Sequence, residues 1–249
     1  MSFPIFKNID EFPLSLRPLL TEFAGKLLGH LHEECLAVLV YGSAAGIDYN
    51  PGISNINIAV VVKKLDFSLL KENLALVKWG HKHKIVTPLF LTRDYILSAL
   101  DVFPVEFSEI KQQHKVIWGE DIFKDLEIPV KDLRLLCEQQ VKGKLLRLRQ
   151  AYLEVGSKPF ILKNLLGGAL SDLIPVFRQL IILKGQKAPS HKEELLKTLA
   201  VIFSLDLQSL LAALHDKNKK TLIPSHLVEG HLQNFIAQLE ILSRHLDSL

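Results

Sequence analysis

Only two cysteines, Cys35 and Cys137, occur in 249 residues, too few for a disulfide framework or a thiolate metal centre. Each lies in an apolar context, so both are expected to be buried and inert. Long hydrophobic runs are missing as well: no stretch shows the roughly 20 apolar residues in a row that a membrane span requires. Hydrophobic residues nevertheless make up 48% of the chain, and the mean hydropathy is +0.21. That excess has to be buried internally or in an interface, which leaves a homo-oligomer open and gives no reason to expect a membrane partner. A charge of one sign is lacking too. Thirty basic and 27 acidic residues leave a net charge of +3, too close to balance to support general nucleic-acid binding. The start, "MSFPIFKNIDEFPLSLRPLL", has prolines and acids where a signal peptide would carry a basic end and an apolar run, so a cytoplasmic protein is expected.

Any positive field is therefore local. In "VKGKLLRLRQ", residues 141 to 150, Lys142, Lys144, Arg147 and Arg149 fall within eight positions with no acid among them. A solvated helix face is the plainer reading, and a phosphate-facing patch is the other.

What is present divides the chain in two. Residues 13 to 34 carry Leu16, Leu19, Leu20, Phe23, Leu27, Leu28 and Leu31 at helical spacing, followed by the apolar run "LAVLVYG", a buried strand. "INIAVVVKK" reads as a second strand, "DFSLLKENLALVKW" as an amphipathic helix capped by Asp66, and "HKIVTPLFLT" as a third strand. "RDYILSALDVF" has the pattern of a short helix, while "PVEFSEI" and "KVIWG" read as two more strands, or a strand and a turn. Beyond Pro129 the strand signal stops. Leu133, Cys137, Val141, Leu145, Leu148, Tyr152 and Val155 mark one long helix ending near Gly156, and a second runs from about Phe160 to Leu183. "HKEELLKTLAVIF" and "DLQSLLAALHD" suggest a pair, and after Pro224 the series Val228, Leu232, Phe235, Leu239, Leu242 and Leu246 is the seam of a bundled helix. The fold class is α+β: a mixed sheet with helices over residues 1–128, then an all-helical bundle over 129–249.

Chemistry concentrates in "GSAAGIDYNPGISNINIAVVV". A glycine-serine pair at the end of a buried strand lets backbone amides and a hydroxyl meet phosphate oxygens, with glycine permitting the close approach. About a dozen positions later a strand opens with Asn55 and Asn57, whose spacing of two puts both side chains on one face. Phosphoryl and nucleotidyl transfer places metal ions beside a triphosphate, and carboxylates would be the usual occupants of such a pair.

The segment resembles the motif of the nucleotidyltransferase superfamily typified by DNA polymerase beta and the aminoglycoside nucleotidyltransferases, Gly-Ser followed by an Asp-x-Asp or Asp-x-Glu strand. "FPVEFSEIKQQHKVIWGED" is similar to the later strand pair of bacterial relatives, and "LCEQQVKGKLLRLRQAYLE" to the first helix of their helical domain. The resemblance implies a nucleotidyltransferase-type mixed sheet, a nucleoside triphosphate contacted by Gly42 and Ser43, and a small-molecule or protein hydroxyl as acceptor. It implies two magnesium ions at the positions of Asn55 and Asn57, and a third carboxylate on a later strand, for which Glu106 is the candidate. Glu109 would fall on the opposite strand face. With Asn55 and Asn57 in place of the Asp pair, no protein metal ligand is assigned, Mg2+ is only weakly supported, and metal-dependent transfer is expected to be impaired. The alternative is a non-catalytic nucleotidyltransferase-fold protein that binds a nucleotide or a partner.

The remaining features have plainer readings. Asp48 would turn the loop with Asn50, Pro51 and Gly52 rather than ligate a metal. His81 and His83 would share a side if a strand began there, but lack a third ligand. "LLGG" at 165 to 168 permits close helix packing, and Trp79 and Trp118 anchor a core or interface.

Overall fold

Two β-branched runs pair at the centre of the first of two units into which this computed structural model divides. One unit comprises Met1–Val102 with Phe107–Ile128, the other Phe103–Glu106 with Pro129–Leu249; the structure describes residues 5–247. Strand β1 (Cys35–Tyr41) pairs antiparallel with β2 (Asn57–Val62) on one edge and with β4 (His114–Gly119) on the other. Strand β3 (Leu89–Thr92) runs parallel beside β2, giving the order β3-β2-β1-β4 among the described residues.

Both faces of this sheet are covered, which is why β1 and β2 read as continuous apolar runs rather than alternating ones. Val38, Val40, Ile58 and Val60 pack with Leu20, Phe23 and Leu27 of helix α1 (Arg17–Leu31). Ala37, Leu39, Ala59 and Val61 face the other way, against Leu91, Phe107, Ile110 and Phe123. Helix α2 (Phe67–Glu72) starts as expected, with the Asp66 carboxylate accepting from the Leu69 amide at 3.0 Å. The single helix expected there is broken: α3 (Leu74–Lys82) begins after Asn73, a buried residue whose side-chain amide donates to the Leu69 carbonyl at 2.8 Å. The carboxamide thus competes with the helical ladder. The third strand is shorter than the sequence suggests. His81 lies in α3 and His83 ends it; His81 Nε2 meets Thr87 Oγ1 at 2.9 Å, and His83 Nδ1 meets the Trp79 carbonyl at 2.9 Å. The two histidines are held by separate partners.

Helix α4 (Arg93–Ser98) follows β3. The largest departure comes next, because "PVEFSEI" is not a strand. It forms helix α5 (Pro104–Gln112), with Glu106 in its first turn. Val105, Phe107 and Glu109 suggested alternation over too few residues, whereas Phe107 and Ile110 are both buried at a helical spacing of three, behind a proline suited to a first turn. On a helix Glu106 and Glu109 lie on neighbouring positions of one side, not on opposite faces.

The second unit is helical. α6 (Val130–Val155) buries Leu133, Cys137, Val141, Leu145 and Leu148, as their spacing indicates, and stops at Gly156, whose φ is +62. α7 (Pro159–Leu183) is in contact with α6, α8 (Lys192–Phe203), α9 (Gln208–Lys217) and α10 (Val228–Leu246). By length and composition α7 could cross a membrane, contrary to the reading that no stretch approaches that limit, and 67% of its most apolar window is buried within the protein. Every residue of the α10 seam is at most 1% exposed.

Two outcomes follow from packing. Gly119, at φ +81, ends β4 where an added Cβ would lie 2.0 Å from the Leu36 carbonyl oxygen. Gly119→Ala therefore combines left-handed strain with overpacking and should cost about 2 kcal/mol or more in urea unfolding; an unchanged midpoint would contradict this packing. Burial pushes the thiols of Cys35 and Cys137 up to about 12, so both stay protonated and unreactive at pH 8. Native protein should react with a thiol reagent only as fast as it unfolds, and rapid labelling of either cysteine would show that its site is open.

Candidate functional site

β1 ends at Tyr41, and the chain enters a short 3-10 turn, Gly42–Ala45. The Gly42 amide donates to the Gln113 carbonyl at 2.9 Å, and the Gly46 amide to the Ser43 carbonyl at 3.2 Å. Gly42 adopts φ +70, a conformation that side chains other than glycine's disfavour. A Cβ added there would stand 3.1 Å from the side-chain nitrogen of Asn57. The glycine thus does two things: it turns the strand end, and it makes room for a side chain from the neighbouring strand. Ala44 is buried beneath the turn, whereas Ser43 is half-buried and its hydroxyl has no hydrogen-bond partner among the described residues.

Asn57 pairs opposite Tyr41, and Tyr41 opposite His114, so the three lie in one row across the sheet. Asn57 shares its face with Ala59 and Val61. β2 itself begins at Asn57 rather than Asn55. The extended backbone continues one residue further back, as Ile56 bridges Ile85 and belongs to the opposite, α1-covered core. Asn55 is exposed and lies ahead of the bridged residue, outside the regular strand. Gly42, Ser43 and Asn57 lie at one end of the β1–β2 pair, with Asn55 two residues ahead of the strand.

The intervening loop is fixed by its own turn chemistry. The Asn50 carboxamide accepts from the Gly52 amide at 3.1 Å, the Ser54 hydroxyl accepts from the Asn50 amide at 3.0 Å, and Lys84 Nζ donates to the carbonyls of Pro51 and Gly52 at 3.1 and 2.8 Å. Glu106 does not fit the role assigned to it. The resemblance implies a strand carboxylate, whereas Glu106 lies on a helix and its exposed side chain accepts from Gln140 Nε2 at 3.3 Å. With the strand goes the reason for choosing it.

A histidine that the sequence reading passed over lies beside the turn. His114 opens β4; its Nδ1 meets the Ile110 carbonyl at 2.7 Å and its Nε2 meets Asp121 Oδ1 at 2.9 Å, with the imidazole only 8% exposed. Both partners are acceptors, so the ring is held in one orientation. The available signal was "HKVIWGED", in which the histidine and the aspartate bracket a predicted strand. In the adjacent position burial raises the Tyr41 hydroxyl above the usual phenol range. Among the described residues no group of three or more His, Cys, Asp and Glu side chains is placed to hold a metal ion. A magnesium ion wants carboxylate oxygens, and the two positions that would supply them carry neutral amides, so this donor set does not fit one.

No family model matches the chain, and no curated protein does. Solved structures do. Spectinomycin adenyltransferase AAD(9) from Enterococcus faecialis, crystallised with ATP and spectinomycin, aligns over 88% of this chain and 97% of its own with a TM-score of 0.58 and 14% identity. A nucleotidyltransferase-like protein from Exiguobacterium sibiricum 255-15 aligns over 92% of this chain and 73% of its own, with a TM-score of 0.36 and 11% identity. Together with the mixed sheet, the glycine-serine turn at the end of its central strand and the helical region that follows, the first of these likenesses places the chain in the nucleotidyltransferase fold.

Proposed function

We propose that the chain binds a nucleoside triphosphate at the Gly42–Ser43 turn, and that transfer of a nucleoside monophosphate to a hydroxyl acceptor is impaired or lost. The acceptor class is a small molecule or a protein. The observation that carries this reading is an amide, Asn57, packed against a positive-φ glycine at a strand end whose serine hydroxyl is uncommitted. That turn keeps what a phosphate needs, a close backbone approach and a hydroxyl donor, while lacking the anions that a metal needs. The fold shared with a protein crystallised with ATP supports the ligand class.

Magnesium dehydrates reluctantly, and an amide oxygen offers it a dipole in place of a full charge. Asn55 and Asn57 therefore do not fit a resident ion, and no step here depends on one. Two fewer carboxylates also reduce the Coulombic repulsion of a triphosphate. Binding should consequently be nearly independent of the metal.

Three measurements test this. In calorimetry with ATP, removing magnesium with a chelator should change the affinity by less than tenfold, about 1.4 kcal/mol; a larger loss would mean that the protein recruits the ion. If no triphosphate binds in either condition, the nucleotide reading fails and the non-catalytic interaction protein takes its place. Ser43→Ala should weaken ATP at least threefold with an unchanged thermal midpoint, whereas full affinity in the folded variant would make the turn purely structural. Asn55→Asp combined with Asn57→Asp is nearly isosteric and adds two carboxylates at and just ahead of the start of β2. Affinity for Mn2+ should rise at least tenfold, and an absence of gain would show that the two positions do not converge.

A further inference from the structure

The basic run on α6 has a specific outcome in the structure. Lys142 is paired with Glu138 at 2.7 Å and Asp247 at 2.5 Å, Arg149 with Glu240 at 2.6 Å, and Lys144 with Asp172 at 2.6 Å. Arg147 alone of the four makes no hydrogen bond or ion pair among the described residues. It is exposed, and it lines a groove of about 250 Å3 between α6 and α7, with Lys144 one turn before it and Asn164 and Asp172 on the facing helix.

On α7 the groove is lined at its middle by Gly168, which presents no side chain. A Cβ there would meet no atom within 4 Å, whereas one on Gly167 would stand 3.6 Å from the Lys217 Cβ of α9, so of the "LLGG" pair it is Gly167 that faces a neighbouring helix. Ala151 and Leu165 give the groove apolar walls, above a Leu148 that is only 1% exposed. Two cations, Lys144 and Arg147, against one carboxylate, Asp172, leave one positive charge on the rim, and the Asn164 carboxamide adds a neutral hydrogen-bonding group.

We infer that this α6–α7 groove binds a small organic anion, a carboxylate or phosphate monoester with an apolar body, whose head group pairs with the Arg147 guanidinium while the body lies on Ala151 and Leu165. A guanidinium matches either head group with two parallel N–H donors. Asp172 is then a competitor: it holds Lys144 away from the ligand and repels an incoming anion. The site lies wholly within the helical unit and does not depend on the nucleotide reading.

The test is calorimetric titration of the full chain with inorganic phosphate, phenyl phosphate and benzoate. At least one aromatic anion should bind tenfold or more tighter than inorganic phosphate, and which of the two does so identifies the head group. Arg147→Gln should weaken that binding at least tenfold. Asp172→Asn should strengthen it at least threefold, a gain that a merely structural ion pair would not give. Gly168→Leu should fill the groove and abolish binding without lowering the thermal midpoint, since leucine is a better helix former than glycine. The proposal is overturned if neither aromatic anion binds the wild type or Asp172→Asn, or if Arg147→Gln retains full affinity.

Discussion

Everything at the candidate site depends on how β1 ends. The strand is hydrogen-bonded on both edges and buried on both faces, with its ladder irregularities confined to Cys35–Leu39, and it delivers Tyr41 and Gly42 to a point beside β2 and β4. At that point the backbone must turn with the Gly42 amide still bound to the Gln113 carbonyl. Only a residue that accepts φ +70 and carries no Cβ does so while leaving room for Asn57. The position of the Ser43 hydroxyl, the approach to its backbone and the placement of the neighbouring amide all derive from that single constraint.

The chemistry of the site is set by charge rather than by shape. An Asn and an Asp side chain occupy nearly the same volume, so the turn and strand geometry is compatible with either. What differs is the field. A pair of carboxylates would attract a divalent ion and repel a bare triphosphate, whereas a pair of amides does neither. The fold persists because its cores are formed by Val, Leu, Ile and Phe on both sides of the sheet, far more than by the polar residues at the strand end. Fold and activity are accordingly separable, and the likeness to an adenyltransferase speaks to the first.

Long periodic patterns were legible in the sequence. The α6 and α10 seams appear in the structure residue for residue, because a helix of five or more turns repeats its packing requirement often enough to be unmistakable. Continuous β-branched runs likewise gave β1 and β2, and Asp66 gave a helix start. Short segments failed where a competing interaction won. "PVEFSEI" offered three residues of alternation against a proline-led turn, and the helix prevailed, which removed the basis for choosing Glu106. Asn73 broke one expected helix into two by bonding back to the Leu69 carbonyl. Of the candidate residues, Gly42, Ser43, Asn55 and Asn57 were nameable from the sequence because a local motif carries them. The His114–Asp121 pair was not, since it is formed by a strand and the turn after it, and neither residue belongs to a recognisable pattern. The pairing that leaves Arg147, of the four cations in the run, uncommitted among the described residues depends on residues 28 to 105 positions away and could not be read from the run itself.

The central claim is that a nucleotide occupies the Gly42–Ser43 turn without help from a protein-held metal. Hydrogen exchange followed by mass spectrometry, with and without ATP in the presence of a chelator, addresses that claim at the residues concerned. The account predicts slowed exchange in the peptide spanning Gly42 to Gly46, with little change in the outer turns of α10. Protection that is absent from this peptide, or that develops only when magnesium is supplied, would contradict it.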